Sequence, residues 1–173
     1  GEELSQKITA ILKTLGMAKA SFVIVVSDRN SSTAQKTFGP WGADVVEFFI
    51  SPNIGEAQRP LKKIASGGEL SRVMLAIKTI TAFNDSVQAM VFDEIDTGIG
   101  GEVALSVAEH LHNLGALKQV FCITHLATIA VRADNHLKVE KQADGGRTLT
   151  SVHSLDRGAR KTEIARMLSG NMH

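Results

Sequence analysis

Two adjacent carboxylates, Asp93 and Glu94, directly follow the apolar run Ala89-Met90-Val91-Phe92. At the end of a buried strand such a pair repels itself and loses hydration, a cost that a cation or a proton removes. A Mg²⁺ held by the first carboxylate and a water deprotonated by the second would employ both. A second constellation is Ser66-Gly67-Gly68-Glu69, which opens an apolar-periodic segment within LKKIASGGELSRVMLAIK, residues 61–78. The free N–H groups and positive dipole end of a helix start favour an anion, and glycine lets a phosphate approach the backbone closely. The third is His125, set just after the run Val120-Phe121-Cys122-Ile123-Thr124. From there an imidazole could contact the same anion or the water that attacks it.

Each constellation also has a plain structural account. Paired acids after a strand can be a solvated loop start, and Ser-Gly-Gly before a helix can be an N-cap with a tight turn. Ser66, Asp93 and His125 occur in the chain order of an α/β-hydrolase triad, but the nucleophile elbow requires G-x-S-x-G. Here Ile64-Ala65-Ser66-Gly67-Gly68 lacks the first glycine. Asp96-Thr97-Gly98 matches a three-letter protease motif that chance alone supplies. His110 and His112 lie too close in sequence to share one helix face, so they do not form a metal pair. Lys62, Lys63, Arg72 and Lys78 form at most a modest basic patch, which keeps a non-catalytic dimerisation or DNA-binding lobe as an alternative.

The elements that must hold these residues follow from periodicity. Leu4, Ile8, Ile11 and Leu15 make a heptad-like seam on a helix ending near Gly16. Residues 21–27 and 44–51 read as strands of a hairpin, joined by the polar connection 28–42. Leu70, Val73, Met74, Ile77 and Ile80 recur at helical spacing over 68–84. Residues 88–93 and 118–124 are strands apolar on both faces, separated by a Gly-rich turn, 96–101, and a helix, 102–114, with Gly115 suited to stop it by a positive φ. A hairpin around Asp144-Gly145-Gly146 and a last helix from about Lys161 complete the chain. The expected fold is α/β, with a largely parallel sheet flanked by helices on both faces and additional antiparallel hairpins. In such sheets ligands bind beyond the carboxyl ends of the strands, where Asp93, Glu94 and His125 fall.

Composition sets the outer limits. With 173 residues, 43% of them hydrophobic, the chain can bury one core. A net charge of +1 excludes a broadly cationic nucleic-acid coat. The single cysteine, Cys122, cannot form an internal disulfide and reads as a small buried hydrophobe, which suits a reducing compartment. No apolar run approaches the roughly 18 residues that cross a bilayer, so no membrane role is expected.

Taken together and in order, the motifs resemble the C-terminal half of an ABC-type ATPase head of the SMC-like branch. SGGELSR is similar to the signature motif, AMVFDE to Walker B, IDTGIGG to the D-loop, and His125 to the switch histidine. DEIDTGIGG, THLATIAVRADNHLKVEK and EIARMLSG together resemble the RecN family of bacterial DNA-repair proteins, over about 62–170. No Gly-Lys pair occurs anywhere, so the Walker A phosphate loop and its lysine are missing. The resemblance therefore implies residues 21–173 as the C-terminal lobe of a head, with 1–20 as the returning end of a coiled coil or a packed helix. It implies ATP and Mg²⁺ as cofactors, both requiring the Walker A lobe of the same protein, and a homodimer formed through ATP-bound heads. Ser66, Gly67, Gly68 and Glu69 would face the γ-phosphate held by the opposite head. Asp93 would hold Mg²⁺, Glu94 would deprotonate the attacking water, His125 would steady the γ-phosphate, and Asp96 would link the two sites. DNA as a partner and a place at the bacterial nucleoid in the cytoplasm follow by the same implication.

Overall fold

A computed structural model describes residues 1–28, 38–40, 42–53, 55–144 and 147–169. Helix α1, Glu2–Thr14, opens with acidic Glu2 and Glu3 and carries Lys13 in its last turn, both favourable to its dipole. The expected seam is its packed face: Ile8, Leu12 and Leu15 are fully buried, and Leu4 and Ile11 pack beside them. Gly16, at φ +83, lets the chain turn back.

Strands β1 (Ser21–Asp28), β2 (Asp44–Ser51) and β3 (Arg59–Pro60) form an antiparallel sheet in that order. The anticipated hairpin is thus present, its register running from Ser21 opposite Ser51 to Asp28 opposite Asp44. The other edge of β1 lies against α1, where the Thr9 hydroxyl accepts from the Phe22 N–H and the Ser5 hydroxyl from the Ile24 N–H, both at 3.1 Å. Side chains of the helix thereby satisfy strand donors that would otherwise invite another chain.

Helix α2 (Gly67–Thr81) leads to β4 (Ala89–Phe92), α3 (Gly101–Gly115) and β5 (Gln119–Cys122). β4 and β5 pair in parallel, Val91 opposite Phe121, and this β-α-β unit is the parallel part of the fold. Gly115 does not stop α3 by a positive φ. It is the last helical residue, and the Lys118 N–H closes the turn on the Leu114 carbonyl instead, so no left-handed residue is needed. Short helix α4 (Ala127–Ala130) precedes the antiparallel hairpin β6 (Leu137–Asp144) and β7 (Arg147–Ser154); the Gly145-Gly146 turn itself lies outside the described residues. Helix α5 spans Arg157–Ser169, beginning before Lys161 because the Asp156 carboxylate caps it, accepting from the Ala159 N–H at 2.8 Å.

The core gathers Ile8, Leu12 and Leu15 of the first helix region, Val73, Leu75 and Ala76 of α2, Val107, Ala108 and Leu114 of α3, and Met90 and Phe92 of β4. The parallel pair is covered on that side alone. On the opposite side Val91 is 68% exposed and Ile123 58%, with Phe121 open as well, so the expectation of two covered faces is not met among the described residues. Their apolar character is a demand for cover that these residues do not supply. Among the described residues no helix is long and apolar enough to cross a membrane.

Candidate active site

The residues singled out by chemistry converge at the carboxyl ends of β4 and β5. Ser66 is the N-cap of α2; its extended backbone lets the hydroxyl accept from the Glu69 N–H at 3.3 Å. The second of the two glycines that follow has a packing reason: a Cβ on buried Gly68 would lie 2.9 Å from the Glu94 carbonyl oxygen and 3.1 Å from Thr97 Cβ, whereas one on Gly67 would meet only the movable carboxylate end of exposed Glu94. The start of α2 therefore fits against the turn that follows β4 at a distance only glycine permits.

That turn opens with the paired carboxylates. The Glu94 N–H donates to Asp93 Oδ1 at 2.8 Å, and the Thr97 N–H closes the turn on the Glu94 carbonyl at 3.0 Å. Glu94 sits at φ 57, the one non-glycine residue in the left-handed region among the described residues. That conformation costs about 1–2 kcal/mol for an L-residue and collects at functional sites. Both Asp93 and Glu94 are exposed. Asp96, two residues on, is 4% exposed and fully engaged. Its Oδ2 accepts from the Thr124 hydroxyl at 2.5 Å and the His125 N–H at 2.8 Å, and lies 3.0 Å from His125 Nδ1. One buried carboxylate thus fixes the loop after β5 and orients the imidazole, whose ring remains open to solvent.

Arg72 was read from sequence as part of a surface basic patch, and the structure corrects this. It is buried, 7% exposed, and its Nη1 donates to the carbonyls of Ile95 at 3.2 Å and Thr97 at 3.1 Å. Burial pulls its guanidinium below the ordinary arginine value, while the charge of Glu69 acts the other way. Lys78 pairs with Asp85, so of the proposed patch only Lys62 and Lys63 are exposed and unengaged. The Arg72 contact was invisible in sequence because an arginine in a helical run ordinarily lies on the wet face.

Ser66 and His125 do not form a nucleophile–base pair: the first caps α2 and the second is held by Asp96. Cys122 lies half-buried under the same turn, where burial first, then the charges of Asp96 and Asp93, push its thiol up to about 12, the behaviour of a structural cysteine. Among the described residues no three His, Cys, Asp or Glu side chains group as a dedicated metal site. Mg²⁺ needs less, taking one or two carboxylates with waters and phosphate oxygens, and exposed Asp93 fits one such ligand. A cavity of about 200 Å³ opens beside Ser66, with Arg59, Lys63 and Glu69 at its rim over Met17, Ile50 and Ile64.

This chain is 51% identical to the DNA repair protein RecN of Treponema pallidum over 99% of its own length. The RecN proteins of Deinococcus radiodurans and Bacillus subtilis are 45% and 41% identical over 98% of it. Over nearly all of its length the chain is similar to one segment of the RecN proteins. It spans about 30% of the length of these curated relatives. No family model matches it. Among solved structures its fold is similar to the SMC head domain with coiled coil and joint from Pyrococcus yayanosii, at a TM-score of 0.64 and 19% identity, covering 95% of this chain and 29% of that one. A chain of an SMC ATPase described for ATP-driven dimerisation and DNA-stimulated activation matches at a TM-score of 0.54 and 18% identity, with 99% of this chain and 94% of that chain covered. At that identity the likeness is one of fold: the chain folds like part of an SMC head domain.

Proposed function

We propose that this RecN segment is the C-terminal lobe of an ATPase head acting in DNA double-strand break repair and recombination, and that it completes its catalytic site only with a Walker A lobe from the rest of the protein. The observation that carries this reading is the convergence of exposed Asp93 and Glu94 with the Asp96-held His125 beneath a bare apolar sheet face. Val91, Phe121 and Ile123 would be covered by the missing lobe, at on the order of 1.5–3 kcal/mol for each side chain fully buried. Residues 21–173 form the lobe, and α1 is the returning end of the coiled coil, its buried stripe seated on the lobe's core.

Phosphoryl transfer needs positioning and charge neutralisation more than covalent help. Mg²⁺, where bound, neutralises charge on the phosphate oxygens. Asp93 offers it a carboxylate ligand, commonly through water. Glu94 is the base that orients and deprotonates the attacking water, and its exposure leaves it free to reach that water. His125, with Nδ1 turned to Asp96, presents its outer ring nitrogen to the γ-phosphate. Ser66, Gly67, Gly68 and Glu69 present the start of α2 to the γ-phosphate bound by an opposing head, and Asp96 joins the two sites across the dimer. Head dimerisation is then gated by ATP and released by hydrolysis, with DNA as partner at the nucleoid in the bacterial cytoplasm. The SMC ATPase described for ATP-driven dimerisation supports this by its fold.

The test is turnover in the full-length protein. The segment alone is expected to show negligible ATP hydrolysis, and full-length protein to show it. Glu94→Gln in the full-length protein should lower kcat by about two orders of magnitude or more, the scale of a general base, and accumulate ATP-bound dimers in size-exclusion chromatography. Undiminished hydrolysis in that variant removes Glu94 from the role of base.

A further inference from the structure

We infer that Arg72 is a positioning residue that ties the phosphate-facing start of α2 to the turn carrying Asp96, and through Asp96 to the loop of His125. The inference rests on the reading above for what these parts face, but its structural content is independent of it. Arg72 grips the turn from both sides of Asp96, one nitrogen donating to the carbonyls of Ile95 and Thr97. Asp96 in turn holds the Thr124 hydroxyl and the His125 N–H. Gly68 lies between, so close that a Cβ there would stand 3.3 Å from Arg72 Nη1. The three segments form one continuous set of charge-assisted hydrogen bonds: α2, residues 95–97, and residues 124–125.

A guanidinium is a costly way to fill this space. Its Nε is buried without a hydrogen-bond partner, and among the described residues no carboxylate forms an ion pair with it. A methionine or leucine would fill the volume without that desolvation penalty. What an apolar side chain lacks is a charged donor whose two N–H groups, both on Nη1, fix two carbonyls at once. A shift of the α2 start against a phosphate is thereby passed to Asp96 and to the orientation of His125, with no ligand contact by Arg72 itself. Packed cores respond to such shifts as units.

The experiment uses the full-length protein with Arg72→Met and Arg72→Lys, read by amide hydrogen exchange and by ATP turnover. Arg72→Met is expected to speed exchange at the Thr97 and His125 amides by about ten- to a hundredfold, the range for losing hydrogen bonds to a charged group, while Val107 and Ala108 in α3 keep their protection. It should lower kcat by about tenfold with KM held within about threefold, and Arg72→Lys should recover part of both. Combined with Asp96→Asn, Arg72→Met should reduce kcat no further than Asp96→Asn alone, because both act on one turn. Unchanged exchange at Thr97 and His125, a uniform rise that includes α3, or fully additive losses would each overturn the inference. If Arg72→Met does not accumulate as folded protein, Arg72→Lys is read at the same amides: a smaller, local rise supports the inference and none overturns it. Exchange does not depend on turnover, so a full-length protein that hydrolyses no ATP would end the ATPase reading and leave Arg72 to be judged by exchange.

Discussion

The candidate site has two halves built in opposite ways. Asp96, Arg72, Thr124 and the backbone of His125 form a buried scaffold in which one carboxylate and one guanidinium make four hydrogen bonds, and the carboxylate also faces the His125 ring. Asp93, Glu94 and Ser66, which would do the chemistry, are exposed and carry only local bonds to neighbouring backbone. The scaffold is closed by bonds among the described residues, whereas Asp93, Glu94 and Ser66 stay open to solvent, where the proposed partners would meet them. The same division shows in the parallel pair, with Met90 and Phe92 sealed in the core and Val91 and Phe121 bare on the other side.

Substitutions should separate the two halves by their effect on stability. The largest effect belongs to Asp96→Ala, which strands the Thr124 hydroxyl and the His125 N–H; urea unfolding should show a loss of about 2–4 kcal/mol. A loss under about 0.5 kcal/mol there, the ordinary surface range, would mean that the scaffold is not a scaffold. Next, Ser66→Ala removes the N-cap of α2 and should cost about 1 kcal/mol by the same measurement, local bonding being worth less than the buried network. Smallest is Val91→Thr on the bare face, expected to change the stability of this segment by less than about 0.5 kcal/mol. In full-length protein the same change should cost more, about 1–2 kcal/mol, because the side chain is then buried. Equal effects in segment and full-length protein would argue against a lobe covering that face.

Much of the fold was legible because its elements announce themselves locally. The period of α2, the N-cap at Ser66, the continuous apolar runs of β4 and β5 and both hairpins are written in neighbouring residues. The candidate residues were legible for the same reason: Asp93, Glu94, Asp96 and His125 stand just after apolar strands, where parallel sheets gather ligands. The role of Arg72 was not legible, because its partners Ile95 and Thr97 are backbone carbonyls, which carry no side-chain signal in sequence. Nor was the packing reason for Gly68, since anion contact and close approach to the Glu94 backbone ask for the same residue. The start of α5 moved back from Lys161 to Arg157 because Asp156 caps it, a local signal overlooked beside the charged run.

By itself the sequence determined the α/β elements, the set of chemically capable residues and the missing phosphate-loop lysine, all properties of residue type and spacing along the chain. Only the tertiary structure decided that Arg72 is buried rather than displayed, that Asp96 holds His125, and that the parallel pair is bare on one side. The reason is that hydrogen bonding between distant segments and the sealing of a sheet face depend on which surfaces meet, and local periodicity is blind to that.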